Sequence, residues 1–256
     1  MKLCHFEYKN EKHWGVVKND AVFPLDNLEN IYQQSRAVKS KKLTKIKNVK
    51  FLPPVSPSKI VCVGRNYAAH AAEFGNEVPQ EPLLFLKAPS AIITEGEAIV
   101  LPKQSNQVEH EGELAVVISS TCKNLSESDD PFEFVFGYTC LNDITARDLQ
   151  RRDGQFTRAK SFDTFCPIGA FIETELDVAN IRVTTKVNGV IKQTGRTSQM
   201  VHPVPFLIRY ISNQMTLNAG DIIATGTPSG VSKLSDGDMV EVEIKGIGVL
   251  RNPVKV

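Results

Sequence analysis

The sequence predicts a mainly-β fold of the α+β class with a small α/β domain in front of it. Three observations predict this. Apolar runs of about four to eight residues recur along the chain, each bounded by Gly, Pro, Asn or Asp. Only two stretches read as helices of the main domain, Thr145 to Arg152 and Pro205 to Gln214. Pro53, Pro54 and Pro57 punctuate the chain and set a front segment, residues 1–56, apart from residues 57–256.

In the front segment Cys4, Phe6 and Tyr8 alternate with His5 and Glu7, which is a strand pattern. Val16-Val17 and Ala21-Val22-Phe23 flank Lys18-Asn19-Asp20, an expected hairpin turn. Arg36 to Lys50 holds seven positive residues and no acid. No aromatics interleave with these charges to stack on bases, so the run is expected to be solvated surface or linker. Beyond the prolines, Lys59 to Val63 reads as a buried strand ending at Gly64. Further strands are expected at Leu83–Leu86, Leu114–Ile118, Phe134–Cys140, Ile168–Ile172, Arg182–Val187, Ile222–Ala224 and Met239–Ile244. Asn188-Gly189 and Asp236-Gly237-Asp238 are turn signals, because Asn and Gly tolerate positive φ.

Whole-chain properties narrow the function classes. The 256 residues carry a formal net charge of +1, which points to no nucleic-acid or membrane partner. No apolar run approaches the roughly 20 residues needed to span a bilayer. The N-terminus lacks the apolar core of a signal peptide, so a cytoplasmic address is the default. Five widely spaced cysteines without a C-x-x-C pair suit neither a disulfide scaffold nor a structural zinc site.

The most informative stretch is Glu109-His110-Glu111-Gly112-Glu113, leading into the continuous apolar run Leu114 to Ile118. Such a run is expected to be covered on both faces. Glu111 and Glu113 are two apart and share one face of a strand, where like charges repel unless a cation joins them. The other reading of the residues alone is an exposed strand end with solvated acids. Asp143 follows another expected strand and opens a helix, where it could equally be a cap. His70 and Glu73, three apart, share a face of a short helix. A carboxylate beside an imidazole makes a general base, although a surface His–Glu pair has the same spacing.

From about Lys59 to the C-terminus the sequence resembles the fumarylacetoacetate hydrolase superfamily. The resemblance rests on six stretches in order, among them Gly64 to His70, Pro82 to Lys87, His110 to Leu114, Asn142 to Asp148, Ala159 to Asp163 and Thr225 to Gly230. It implies a mixed β-roll and a homodimer. It implies that Glu111, Glu113 and Asp143 bind one divalent cation. An all-oxygen set suits Mg²⁺ or Mn²⁺, with Ca²⁺ as a further choice, and His110 faces away from the acids in a regular strand. It assigns His70 and Glu73 to base catalysis and Lys160, expected on a strand entering the core, to a developing oxyanion. Thr227, Arg65 and Gln155 become substrate-pocket candidates, Arg147 and Asp148 structural pairs, and the segment from Gly75 to Pro79 a lid.

The short front segment is similar to the acylpyruvate-hydrolase and isomerase/decarboxylase branch rather than to the family's larger eukaryotic hydrolase. The expected substrate is a small anionic 2-oxo acid. Water attack on a distal carbonyl gives C–C hydrolysis of an acylpyruvate, which the His70–Glu73 pair favours; tautomerisation, isomerisation and oxaloacetate-type decarboxylation are the rivals. A silent acid-binding protein and a metal-free structural protein are the remoter readings.

Overall fold

Alternation along a strand sends successive side chains to opposite faces, so a sheet with continuous apolar strands needs cover on both sides. The computed structural model describes residues 1–19, 21–25, 31–33, 44–45 and 48–256. The front segment forms β1 (Lys2–Tyr8), β2 (Glu11–Lys18), β3 (Ala21–Pro24), β4 (Thr44–Lys45) and β5 (Lys50–Leu52). Next come β6 (Ile60–Gly64), α1 (Ala68–Glu73), β7 (Leu83–Lys87), β8 (Ile92–Ile93), β9 (Ile99–Val100) and β10 (Val108–Glu109). The middle of the chain gives β11 (Gly112–Ile118), β12 (Val135–Asn142), β13 (Thr145–Ala146), α2 (Arg147–Asp153), α3 (Thr157–Lys160), β14 (Cys166–Pro167) and β15 (Phe171–Glu173). It ends with β16 (Arg182–Val187), β17 (Val190–Arg196), α4 (Val204–Gln214), β18 (Ile222–Ala224), β19 (Met239–Ile244) and β20 (Gly248–Lys255).

An eleven-stranded sheet runs β4-β3-β2-β1-β15-β12-β11-β18-β6-β7, with β5 added to β1. The front strands enter it through β1, where Cys4 faces Phe171 of β15. A five-stranded sheet runs β17-β16-β19-β20-β9. The central strands are covered on both faces. Cys62, Ala115, Val117, Ile222 and Ala224 belong to one apolar cluster. Their strand neighbours Val61, Val63, Leu114, Val116 and Ile223 join Leu207 and Ile211 of α4 and Val242 and Ile244 of β19 in the other. The second sheet crosses β11 closely at Gly112, where a Cβ would stand 2.0 Å from the Thr185 hydroxyl oxygen.

Several local expectations change. The helix expected from Thr145 starts at Arg147, because Thr145–Ala146 pairs with Val108–Glu109. The strand expected at Ile168–Ile172 is broken: β14 pairs parallel with β8, Ile168 makes a lone bridge to Leu141, and regular pairing resumes at Phe171. Asn188 and Gly189 both take positive φ in the expected hairpin turn, as Asn19 does between β2 and β3. Asp20, and residues 36–43 and 46–47 of the basic run, lie outside the described residues. All five cysteines are buried and free. No helix among the described residues is long and apolar enough to cross a membrane.

Asp221 holds the parallel pair β6–β18 in register. Its Oδ1 accepts from the Ser58 N–H at 2.9 Å, the Ser58 hydroxyl at 2.7 Å and the Lys59 N–H at 3.1 Å. Its Oδ2 accepts from the Asn218 N–H at 2.8 Å and pairs with the Lys59 ammonium. Burial works against its charge, but Lys59 and these donors outweigh it and hold its pKa below the ordinary value. A lowered folded pKa stabilises above the unfolded value, about 4, and the contribution is lost as pH falls through the folded value. Asp221→Asn is therefore expected to cost about 1–3 kcal/mol at pH 7. The gap to the unmodified chain should close below about pH 4, as read by urea denaturation across that range.

Candidate active site

The site is built where β11 begins and β12 ends. Gly112 pairs with Asn142, which sets the residues flanking Gly112 beside Asp143. Asn142 Oδ1 accepts the Glu111 N–H at 2.9 Å, and the Asp143 N–H donates to the Glu111 carbonyl at 2.8 Å. One carboxylate oxygen each from Glu111, Glu113 and Asp143 lies within 4.8 Å of the others, and all three residues are buried.

Three buried cations converge on these acids. Lys87, at the end of β7, donates to Asp143 Oδ1 at 2.5 Å and to the Ile144 carbonyl at 3.1 Å. Lys160 donates to Asp143 Oδ2 at 2.6 Å and to Glu111 Oε2 at 2.8 Å, and lies 4.9 Å from the Phe85 ring centre. It ends the short helix α3 rather than a strand, so it enters the site from a turn of helix. Arg147 pairs with Glu111 Oε1 and donates to Glu109 Oε2 at 2.8 Å. It is thus part of the site and not only a structural pair on its own helix; Asp148, on the other hand, ties α2 to the loop before β10, accepting from the Ser105 hydroxyl at 2.5 Å and the Asn106 N–H at 2.9 Å.

The acids are electrostatically unequal. Burial disfavours the Glu111 charge, but Lys160 and Arg147 outweigh it and hold the carboxyl well below its usual range. For Glu113, burial and repulsion from Asp143 and Glu111 act together and push its pKa far up, with the Gly226 N–H only partly opposing them. Lys160 is disfavoured by burial, yet Asp143 and Glu111 more than restore its charge. Among the described residues, Glu113 is the triad member without an ion pair. A divalent cation fits the three hard oxygens and supplies at Glu113 the charge that lysine and arginine supply to its neighbours. His110 does turn away: its ring nitrogens face Gln193 Oε1 and Ser232 Oγ, each at 2.9 Å.

The expected base is in place. His70 Nδ1 lies 3.2 Å from Glu73 Oε2, and the Glu73 carboxylate also accepts the Gly230 N–H at 3.1 Å. The Thr225–Gly230 turn thereby meets α1 on one side and Glu113 on the other, since the Gly226 N–H donates to Glu113 Oε2 at 2.8 Å. Gly226 holds φ at 97°, and a Cβ there would stand 2.7 Å from the Asn66 Cβ. The Thr227 hydroxyl donates to the Gly112 carbonyl at 2.9 Å and accepts from Gln193 Nε2 at 2.8 Å.

A cavity of about 360 Å³ brings His70, Glu111, Glu113, Asp143, Lys160, Thr227 and Arg65 together. Asn76, from the segment expected to be a lid, also lines it. Gln155 does not: it is exposed beyond α2, after the left-handed turn at Gly154. The glutamine on the cavity wall is Gln150, one helical turn from Arg147 and 2.5 Å from its guanidinium. Sequence reasoning also missed Lys87, whose signal was a lysine closing an otherwise apolar strand. It missed Asn66, too. The Asn66 amide donates to the carbonyls of Thr225 at 2.7 Å and His202 at 3.0 Å and so pins the turn next to Arg65, which has φ 57°.

The model of the fumarylacetoacetate (FAA) hydrolase C-terminal family matches residues 59–255. The chain belongs to this family. An oxaloacetate tautomerase of Bacillus subtilis is 42% identical over 224 residues, covering 82% of this chain and 75% of that protein. The crystal structure of a 2-hydroxyhepta-2,4-diene-1,7-dioate isomerase from Mycobacterium marinum superposes with a TM-score of 0.90 at 38% identity, over 100% of this chain and 98% of that one. A fumarylpyruvate hydrolase from Pseudomonas aeruginosa, solved in complex with Mn²⁺ and pyruvate, gives 0.73 at 30% identity over 79% and 91%. The family's mainly-β fold is thus the fold of this chain.

Removing one member of a buried charge cluster strands its partners. Lys87→Met is expected to lower stability by about 3–5 kcal/mol, because Asp143 Oδ1 loses its ammonium. Asp143→Asn in the same chain should recover part of the loss. A double-mutant cycle by urea denaturation checks this, and strictly additive losses would show that the pair is not coupled.

Proposed function

We propose that this family member is a divalent-metal-dependent enzyme that relocates a proton on a small 2-oxo acid, as in oxaloacetate-type tautomerisation or isomerisation. One observation carries the reading: an oriented imidazole lines the same cavity as a buried carboxylate triad. Glu111, Glu113 and Asp143 would hold Mg²⁺ or Mn²⁺, with Ca²⁺ as the alternative, and the ion would supply Lewis acidity toward a 2-oxo acid. Glu73 keeps the Nδ1 proton on its own side and leaves His70 Nε2 to take a proton from the carbon next to the 2-oxo group. Lys160 and Arg65 bring positive charge to the wall facing an anionic substrate. The aromatic side, Phe85 and Phe156, excludes water from the reacting carbon.

The tautomerase and isomerase relatives support this class of reaction. Hydrolysis of an acylpyruvate, the expectation from sequence, is the second reading. The same His70–Glu73 pair could activate water, and the fumarylpyruvate hydrolase relative supports it. Decarboxylation needs no such base and leaves His70 without a task.

The test follows enol–keto interconversion of oxaloacetate and cleavage of an acylpyruvate, with Mn²⁺, in the unmodified chain and in His70→Ala. The variant should interconvert about 10²–10⁴-fold more slowly and still bind Mn²⁺. Glu113→Gln should abolish the Mn²⁺-dependent rise in melting temperature. An undiminished rate in His70→Ala would refute the base, and faster acylpyruvate cleavage than interconversion in the unmodified chain would install the hydrolase reading.

A further inference from the structure

The near-neutral charge of the chain hides a local imbalance on the second sheet. Arg182 on β16 and Arg196 on β17 are direct cross-strand partners. Residues paired this way point to the same face with Cβ atoms about 5 Å apart, and like charges there destabilise the sheet. Lys245, just past β19, extends the row, since its N–H donates to the Arg182 carbonyl at 3.3 Å and continues the pairing of Val183 with Ile244. β16, β17 and the turn that follows β19 therefore present three cations in a line across about 10 Å.

None of the three has a carboxylate partner among the described residues. The acid nearest in the groove, Glu243, is taken by Lys186 at 3.0 Å. Arg196 is instead aimed by neutral oxygens: its Nη1 donates to the Asn180 carbonyl and to Asn180 Oδ1, both at 3.3 Å. All three cations line one groove of about 630 Å³, and none of them lines the active-site cavity. The repulsion is the mirror image of the carboxylate triad, with the sign reversed: there a cation relieves it, and here an anion does.

We propose that this groove is a binding site for a small polyanion carrying two phosphate or carboxylate groups, separate from the active site. One group bridges the Arg182 and Arg196 guanidinium forks, which suit two-oxygen recognition, and the second reaches Lys245 as a point charge. A monoanion spans only part of the row and binds more weakly.

The experiment is calorimetric titration of the purified chain with sodium diphosphate and, separately, with citrate, in the presence of EDTA so that chelation of divalent ions does not enter the signal. Binding is expected with at least one of the two, and the arm that binds names the group. Affinity should fall about tenfold in Arg182→Ser and in Lys245→Ser, about 1.4 kcal/mol each, and should weaken as NaCl is raised. A second readout needs no ligand: at low ionic strength Arg182→Ser should melt higher than the unmodified chain, because a like charge has gone. Absence of binding by both anions at millimolar concentration, unchanged affinity in the variants, or no gain in melting temperature each overturns the proposal.

Discussion

The burial of carboxylates at the start of β11 is the constraint on which the rest of the site depends. Moving a charge out of water costs several kcal/mol unless partners replace the lost hydration. Glu109, Glu111, Glu113 and Asp143 are all buried, so cations have to be delivered to them from elsewhere in the chain. β7 delivers Lys87, α2 delivers Arg147 and α3 delivers Lys160. The two short helices make little contact with the apolar core except through Leu149 and Ala159. Their placement follows the charges they carry.

Glu113 is the exception that gives the cluster a use. The same cations that hold Glu111 ionised do not bond to Glu113, whose carboxyl is pushed toward the neutral form. Two acids two residues apart on one strand end therefore differ in proton affinity, and a divalent ion is the group that would equalise them. Under the proposed function, Glu113 would take up positive charge, and Lys160 and Arg65 on the cavity wall would face an anion.

A neutral network keeps this arrangement rigid. Gln193, fully buried on β17, accepts from the Gly112 N–H at 3.1 Å and donates to Thr227 Oγ1 at 2.8 Å and the Pro228 carbonyl at 2.6 Å. One amide thus ties the second sheet to the backbone between the two glutamates and to the turn that holds Glu113. It also fixes Thr227: with its proton committed to the Gly112 carbonyl, the hydroxyl has a lone pair, and not a proton, left over. For His110, which contacts the same amide, burial lowers the pKa more than the Gln193 hydrogen bond raises it.

Short-range pattern determined a good deal of this. The two-residue spacing of Glu111 and Glu113, the continuous apolar run after them, the His70–Glu73 spacing and the Asn188-Gly189 turn are local properties, and local sterics and periodicity are enough to read them. The broken strand around Ile168 was not legible, because a lone bridge is decided by what packs nearby. The same limit explains the exchange of Gln155 for Gln150: Gln150 sits on α2 and lines the cavity, whereas Gln155 lies past the helix end and is exposed. Lys87 reads locally as the polar end of a strand, and Arg147 as a helix residue free to pair on its own helix. Only the tertiary structure brings them against Asp143 and Glu111, from 56 and 36 residues away. Charge compensation of buried groups is set by distance in space, which sequence separation does not encode. The sequence by itself determined which residues could do chemistry; the packing of β7, α2 and α3 decided which of them meet.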